Sequence, residues 1–171
     1  ALTGTAAVIN TLVGNEGDSG NKVNLDTDYT ATITDTTVAA SVLNTLNSNV
    51  PGLITATSVQ LITGTAAEIN TLVDNEGDSG NKINLDTDYT VNISDNTVAA
   101  SVLNTLNDNV PGLVTATTVT NITGTASAMA TLMGNEADSG NAINLDGDFT
   151  ATVDAGSASA AHLTTISAKT S

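Results

Sequence analysis

The stretch GLITATSVQLITGTAAEINTL, residues 52–72, places a strand pattern directly before a helix pattern. Residues 52–62 are rich in Leu, Ile, Val and Thr, as strands are, with a break expected at Thr57 and Ser58. The order Thr65-Ala-Ala-Glu68 is a capping box, and apolar residues then recur at intervals of three and four. The stretch therefore predicts a strand, a turn and a short helix with one buried face.

This stretch belongs to a long repeat, which is the dominant feature of the sequence. The segment 2–61 aligns with the segment 62–121 without gaps, and 47 of the 60 aligned positions are identical. A third copy begins at Ile122 and lacks the counterpart of GLITATSVQL, residues 52–61. We therefore divide the chain into three repeats that form one continuous repeat domain: residues 1–61 (repeat 1), 62–121 (repeat 2) and 122–171 (repeat 3, shorter).

Each repeat contains two related halves. TAAVINTL, residues 5–12, is echoed by VAASVLNTL, residues 38–46, and YTATIT, residues 29–34, alternates as a half-buried strand does. Candidate N-caps precede both helix patterns: Thr3 or Thr5 for the first, and Asp35 or Thr36 for the second. Because strands and helices alternate, the chain is expected to form parallel strands joined by right-handed helical crossovers.

Cycles this short cannot bury their own apolar faces, so we expect them to stack along one axis. The predicted fold class is α/β: a right-handed α/β solenoid of about six strand–helix coils, with one parallel sheet backed by short helices. The alternative is three small α+β beads of 60 residues each. Such beads would be marginal alone, because the chain contains only two Tyr, one Phe and no Trp.

The composition limits the possible partners. The chain has 18 acidic residues against three Lys or Arg, giving a net charge of −15. Nucleic acids and anionic membrane surfaces would repel such a chain, and no apolar run is long enough to span a bilayer. The absence of Cys excludes disulfides and thiolate metal sites. We expect no nucleic-acid binding and no membrane insertion.

An acid-rich segment follows the first helix pattern of each repeat. It reads NEGDSGNKVNLDTDYT at 15–30, NEGDSGNKINLDTDYT at 75–90 and NEADSGNAINLDGDFT at 135–150. Between repeats 2 and 3 this segment changes less than the sequence around it. The candidate metal-binding acids are Glu16, Asp18, Asp26, Asp28, Glu76, Asp78, Asp86, Asp88, Glu136, Asp138, Asp146 and Asp148, and Asp35 and Asp95 lie further along the first two repeats.

Carboxylate and amide oxygens without His or Cys are the ligands that Ca²⁺ takes in proteins. If residues 25–28 are extended, the carboxylates of Asp26 and Asp28 leave the chain on the same side. We expect one structural Ca²⁺ site per repeat, with a Kd in the weak range of roughly 10⁻⁴ to 10⁻³ M. The alternative is that the acids and Asn residues cap turns, form ladders between coils and keep the surface solvated.

Residues suited to catalysis are scarce. His162 is the only His, and it stands where repeats 1 and 2 have Val42 and Val102. Without Cys or Arg, no nucleophile and base can recur with the repeats, so we expect no enzymatic activity. Rows of Thr on one sheet face suggest an alternative role, a multivalent binding module for a glycan, mineral or ice surface.

The TGTAAxINTL helix, the LITATSVQLITG strand and the acid-rich loop together resemble the long tandem arrays of giant surface and secreted proteins of bacteria, marine cyanobacteria in particular. The resemblance covers the whole chain. It implies an extracellular or cell-surface location, a structural or adhesive role, and dependence on Ca²⁺. Neighbouring repeats are the expected partners, with homotypic self-association and surface glycan as further possibilities, because repeat 3 lacks the segment that would cover its last coil.

Overall fold

The computed structural model describes residues 1–16, 20, 23–77, 83–137 and 143–170. Within this part of the chain, short strands alternate with helices. The strands are β1 (Leu2–Gly4), β2 (Ala31–Ile33), β3 (Thr37–Ala39), β4 (Ile54–Ala56), β5 (Leu61–Gly64), β6 (Ile83–Leu85), β7 (Thr90–Ile93), β8 (Thr97–Ala99), β9 (Val114–Ala116), β10 (Asn121–Gly124), β11 (Ile143–Leu145) and β12 (Thr150–Val153). The helices are α1 (Ala6–Glu16), α2 (Ala40–Asn49), α3 (Ala66–Gly77), α4 (Ala100–Asn109), α5 (Ala126–Ala137) and α6 (Ala160–Ser167).

The start of α3 confirms the predicted capping box. The Oε2 atom of Glu68 accepts the backbone N–H of Thr65 at 2.9 Å, and the Thr65 hydroxyl accepts the N–H of Glu68 at 3.2 Å. Repeats 1 and 3 keep only half of this arrangement, in which the hydroxyls of Thr5 and Thr125 accept the N–H three residues on. Local sequence therefore fixes where these helices begin.

Asp35 caps a different helix from the one expected. The N-cap of α2 is Ala39, which makes no side-chain cap, because β3 lies between Asp35 and the helix. The Oδ2 atom of Asp35 instead accepts the N–H of Ala6 in the first turn of α1, at 2.7 Å. Asp95 and Ala66 repeat this contact at the same distance. The prediction that Asp35 or Thr36 caps α2 is wrong, and the aspartates tie successive coils together.

The described strands form three sheets, which corrects the prediction of a single sheet. Every strand pair is parallel, as expected. The strand orders are β1-β2-β4-β6, β11-β9-β7-β5-β3 and β12-β10-β8. The pairing divides because the chain passes through two strands in some coils: β7 pairs with β9, whereas β8, the strand after β7, pairs with β10. The first sheet therefore contains strands of repeats 1 and 2, the five-stranded sheet contains strands of all three repeats, and the three-stranded sheet contains strands of repeats 2 and 3.

Packing crosses both repeat boundaries. Strand β4 of repeat 1 pairs with β6 of repeat 2, and β9 of repeat 2 pairs with β11 of repeat 3. Each helix also packs against the next helix in chain order, from α1 through to α6. The described repeats are therefore not independent beads. The α/β class is confirmed, whereas the solenoid and its right-handed sense stay predictions.

One hydrophobic core runs through the described part of all three repeats. It is built almost wholly from Ala, Val, Ile and Leu, with two Met in α5 and three aromatic rings at equivalent positions. Those rings are Tyr29, Tyr89 and Phe149, and all three are buried. They lie near the end of the acid-rich segments, directly after Asp28, Asp88 and Asp148, so the core reaches directly to the candidate site.

Candidate functional site

The acid-rich loops connect a helix end to the strands that follow it. Glu16 is the last residue of α1, and Glu76 and Glu136 lie in the last turns of α3 and α5. Asp26 and Asp28 precede β2, and their counterparts lie between β6 and β7 and between β11 and β12. Those counterparts are Asp86, Asp88, Asp146 and Asp148. The predicted ligands Asp18, Asp78 and Asp138 lie outside the described residues.

The glutamates of repeats 1 and 2 fasten the loop to the helix. The Oε1 atom of Glu16 accepts the backbone N–H of Leu25 at 3.1 Å, and Glu76 accepts the N–H of Leu85 at 3.0 Å. A carboxylate at a helix C-terminus is repelled by the negative end of the helix macrodipole, and the hydrogen bond from this N–H offsets that repulsion. Burial raises the pKa of Glu76, and the hydrogen bond from Leu85 acts in the opposite direction.

A tyrosine stands beside each of these glutamates. Burial, the charge of Glu16 and a hydrogen bond to Glu16 all raise the pKa of Tyr29. The Tyr29 hydroxyl also donates to the backbone oxygen of Asn49 at 3.4 Å. Burial and the charge of Glu76 raise the pKa of Tyr89, and within the described residues the Tyr89 hydroxyl has no hydrogen-bond partner. Each pair joins the loop to the core.

Repeat 3 replaces this pair. Phe149 stands at the tyrosine position, and the Oε2 atom of Glu136 binds Nζ of Lys169 at 2.7 Å. Lys169 occupies the position of Asn49 in repeat 1. This is the one ion pair among the residues that the structure describes. The same helix-end carboxylate is therefore held by a protein cation in the last repeat.

The aspartates lie in a turn, so the extended conformation considered for residues 25–28 is not the one adopted. The Tyr29 N–H donates to the backbone oxygen of Asp26, closing a four-residue turn, although at 3.4 Å the bond is long. Oδ1 of Asp26 accepts the Thr27 N–H at 2.8 Å, and Oδ1 of Asp86 accepts the Thr87 N–H at 2.7 Å. Asp side chains that bind their own backbone favour turns over strands.

Two carboxylates come together in the turn of repeat 3. The Asp148 N–H donates to Oδ1 of Asp146 at 3.4 Å, and a side-chain hydrogen bond with Asp146 and its charge raise the pKa of the exposed Asp148. Glu136 is engaged with Lys169 instead. Among the residues that the structure describes, no three acidic or His side chains form a group able to hold a metal ion.

Two sets of hydrogen bonds between successive strand–helix units were not assigned from the sequence. One is the capping of α1 and α3 by Asp35 and Asp95, for which the shared offset of 29 residues to Ala6 and Ala66 was the available signal. The other joins neighbouring helices: Nδ2 of Asn44 donates to the backbone oxygen of Glu68 at 2.9 Å. Asn104 makes the same bond to Ala128 at 3.0 Å. In the second set the Asn side chains bind backbone oxygens, whereas the alternative considered from the sequence was an Asn ladder.

The outward face of the sheets carries aligned polar residues. In the first sheet, the paired positions Thr3, Thr32, Thr55 and Asn84 form one row that is partly or fully exposed. In the third sheet, Oδ1 of Asn121 accepts the hydroxyls of Thr150 and Thr152 at 3.2 and 3.1 Å. These rows are a second candidate surface, with one polar side chain per strand.

Comparisons of the chain with protein-family models, with curated proteins and with solved structures find no match. No helix in the described ranges is both long and apolar enough to cross a bilayer.

Proposed function

We propose that this chain is a structural, adhesive tandem-repeat segment of an extracellular or cell-surface protein. The observation that carries the proposal is that three kinds of contact connect neighbouring strand–helix units: strand pairing, helix packing and side-chain caps. Strands pair across both repeat boundaries, successive helices pack together, and Asp35 and Asp95 cap a helix of the preceding coil. A chain built this way gains stability by adding neighbours, which suits a spacer or fibre more than a single binding pocket.

Calcium bound at the acidic turn of each repeat is the second part of the proposal. The net charge of −15 and the close approach of Asp146 and Asp148 support it, because a cation would relieve the repulsion between these carboxylates. The contacts of Glu16 and Glu76 with backbone N–H groups favour a fastening role for these two residues. The aspartates of the turn are therefore the ligands we would test first.

Thermal melting of the chain tests the calcium proposal. The melting temperature is measured in EDTA, in Ca²⁺, in Mg²⁺ and in NaCl of matched ionic strength. At a Ca²⁺ concentration about ten times Kd, each site should add about 1.4 kcal/mol to the free energy of unfolding. An equal gain from NaCl would instead indicate screening of the acids.

A matched variant assigns any calcium effect to the turns. Asp26→Asn, Asp86→Asn and Asp146→Asn together should remove the part of the gain that is specific to Ca²⁺. Glu16→Gln serves as the control, because its carboxylate already binds the Leu25 N–H and it should lower stability in EDTA and Ca²⁺ alike. An unchanged Ca²⁺ response in the triple variant would contradict the assignment.

The aligned polar rows favour a second candidate function, a multivalent module that binds a glycan, mineral or ice surface. One Thr or Asn per strand repeats at the spacing between strands, about 4.8 Å. Replacing Thr3, Thr32 and Thr55 by Val should abolish binding to such a surface while the melting temperature stays unchanged or rises. A segment with a structural role alone should show no surface retention that depends on these Thr residues, so a surface-retention assay tests the binding module separately.

A further inference from the structure

The turn of repeat 3 contains a pair of residues that the other two turns lack. Residues 146–148 read Asp-Gly-Asp, whereas residues 26–28 and 86–88 read Asp-Thr-Asp. The sequence contains no other Asp-Gly pair and no Asn-Gly pair. When glycine follows aspartate, the glycine nitrogen can reach the side-chain carbon of the aspartate and close a five-membered ring, because no Cβ atom restricts its approach. A β-branched Thr crowds and stiffens the same position.

The structure leaves space for this ring at Gly147. Gly147 and Asp148 are exposed, and Asp146 is half-buried. A Cβ atom on Gly147 would meet no atom within 4 Å, and the φ angle of Gly147 is not among the positive values found for other glycines. Neither packing nor backbone conformation therefore requires glycine here, and water can reach the turn.

The three turns also differ in the N–H group that the first aspartate binds. In repeat 1, Oδ1 of Asp26 accepts the N–H of Thr27 at 2.8 Å, and Asp86 makes the same bond in repeat 2 at 2.7 Å. That N–H lies in the peptide plane and points at oxygen, whereas attack on the side-chain carbon uses electrons perpendicular to the plane. In repeat 3, Oδ1 of Asp146 accepts the N–H of Asp148, one residue further along, at 3.4 Å. This donor can stay with the oxygen as negative charge develops on it during the attack.

We propose that Asp146 and Gly147 form a site of spontaneous succinimide formation, which converts Asp146 to isoaspartate in the folded chain. The amide nitrogen of Gly147 bonds to Cγ of Asp146. One carboxyl oxygen leaves as water, taking the hydrogen of the Gly147 N–H and the proton of the carboxyl group. A second water then opens the ring, either at the side-chain carbonyl, which restores aspartate, or at the backbone carbonyl, which gives isoaspartate.

The conversion changes the path of the backbone between β11 and β12. In isoaspartate the chain runs through Cβ and Cγ of residue 146, so the turn gains one backbone atom and a free α-carboxylate. Phe149, which is 2% exposed, lies close behind this turn and holds it to the core. We therefore expect the converted chain to melt at a lower temperature. Repeat 3 would then have a second chemical state that repeats 1 and 2 lack.

Ageing of the full chain tests the proposal. The chain is incubated at physiological temperature in EDTA, with one portion in native buffer and one in urea. Peptides covering the three turns are then quantified by mass spectrometry. Succinimide is identified by the loss of one water, and isoaspartate by electron-transfer fragmentation and by resistance to a protease that cleaves before aspartate. In native buffer, conversion at Asp146 should be at least about tenfold faster than at Asp26 or Asp86.

Two variants assign the reaction to this pair. Gly147→Thr gives repeat 3 the residue found in repeats 1 and 2, and should slow conversion at Asp146 at least about tenfold. Asp146→Glu keeps the carboxylate and the glycine, but its longer side chain would have to close a larger ring, so succinimide should disappear. Circular dichroism establishes that each variant remains folded.

Three outcomes would overturn the proposal. They are equal conversion at the three turns in native buffer, conversion at Asp146 that occurs in urea only, and undiminished conversion in folded Gly147→Thr. The inference does not rest on calcium or on the proposed structural role. Because every portion contains EDTA, its failure would leave the calcium proposal untouched.

Discussion

The acid-rich loops of repeats 2 and 3 have nearly the same sequence and hold their helix-end glutamate differently. Glu76 accepts the Leu85 N–H and lies beside the buried Tyr89, whereas Glu136 binds the ammonium of Lys169 at the surface. In repeat 2 the carboxylate is part of the connection between helix and strand. In repeat 3 it takes part in an exposed ion pair instead, so the same residue at equivalent positions does not guarantee the same role.

The largest difference between the two loops should come from removing their glutamates. Glu76→Ala leaves the N–H of Leu85 without its acceptor, and we expect a loss of about 1–3 kcal/mol in the free energy of unfolding. Glu136→Ala removes an exposed ion pair and should cost less than about 1 kcal/mol through that pair. Urea unfolding of the two variants measures both, and equal losses would contradict the assigned roles.

The substitution Asp95→Ala gives repeat 2 the residue found at the equivalent position of repeat 3, which is Ala155. The change removes the acceptor of the Ala66 N–H at the start of α3, and we expect a loss of about 1 kcal/mol. Asp35→Ala is the matched control in repeat 1, where the contact has the same length. The two losses, measured by urea unfolding, should agree closely, and a loss confined to one repeat would argue against a shared cap.

The tyrosines provide a smaller test. Tyr89→Phe introduces the residue of repeat 3 and removes a hydroxyl that has no partner in the described residues, so stability should hold or rise slightly. Tyr29→Phe removes a hydroxyl that contacts Glu16 and Asn49, and should cost about 0.5–1.5 kcal/mol. Thermal melting compares the pair. A larger loss for Tyr89→Phe would reverse our reading of the two sites.

The smallest expected effect is a dependence on pH. The pKa of Glu76 is raised in the folded state, so the folded chain takes up this proton before the unfolded chain does. Its contribution to stability is fully present below the unfolded pKa and is lost as pH rises through the folded pKa. Glu76→Gln should therefore reduce any gain in melting temperature between neutral and mildly acidic pH. An unchanged pH profile would show that Glu76 is ionised alike in both states.

Local features of the fold could be predicted from the sequence. Apolar residues spaced three and four apart located the helices, and Thr65 and Glu68 formed the expected capping box. Both signals could be recognised because they act within a few residues. The α/β class followed from the alternation of these patterns with strands. The division into three sheets did not follow, because it depends on which strand of a coil meets the next coil.

The candidate site was harder to predict for the same reason. That Glu16 would accept the N–H of Leu25, and that Asp35 would cap α1 instead of α2, depends on how the loop and the neighbouring coil are placed. Asp26 and Asp28 were considered from the sequence only for the case of an extended segment, and the Asp26 side chain instead accepts the Thr27 N–H and favours a turn. Composition identified the acids, and only the packing of coils decides what each of them contacts.

The aspartates that reach from one coil to the helix of the coil before it also bear on how the molecule responds to pulling. A force applied to the two ends loads these contacts and the parallel strand pairs together, and the outermost coil has neighbours on one side only. Extension should therefore proceed by peeling from an end. Each step that frees the 29 residues between paired positions, such as Leu2 and Ala31, would lengthen the molecule by roughly 100 Å. Optical tweezers would record these steps as a sawtooth in the force.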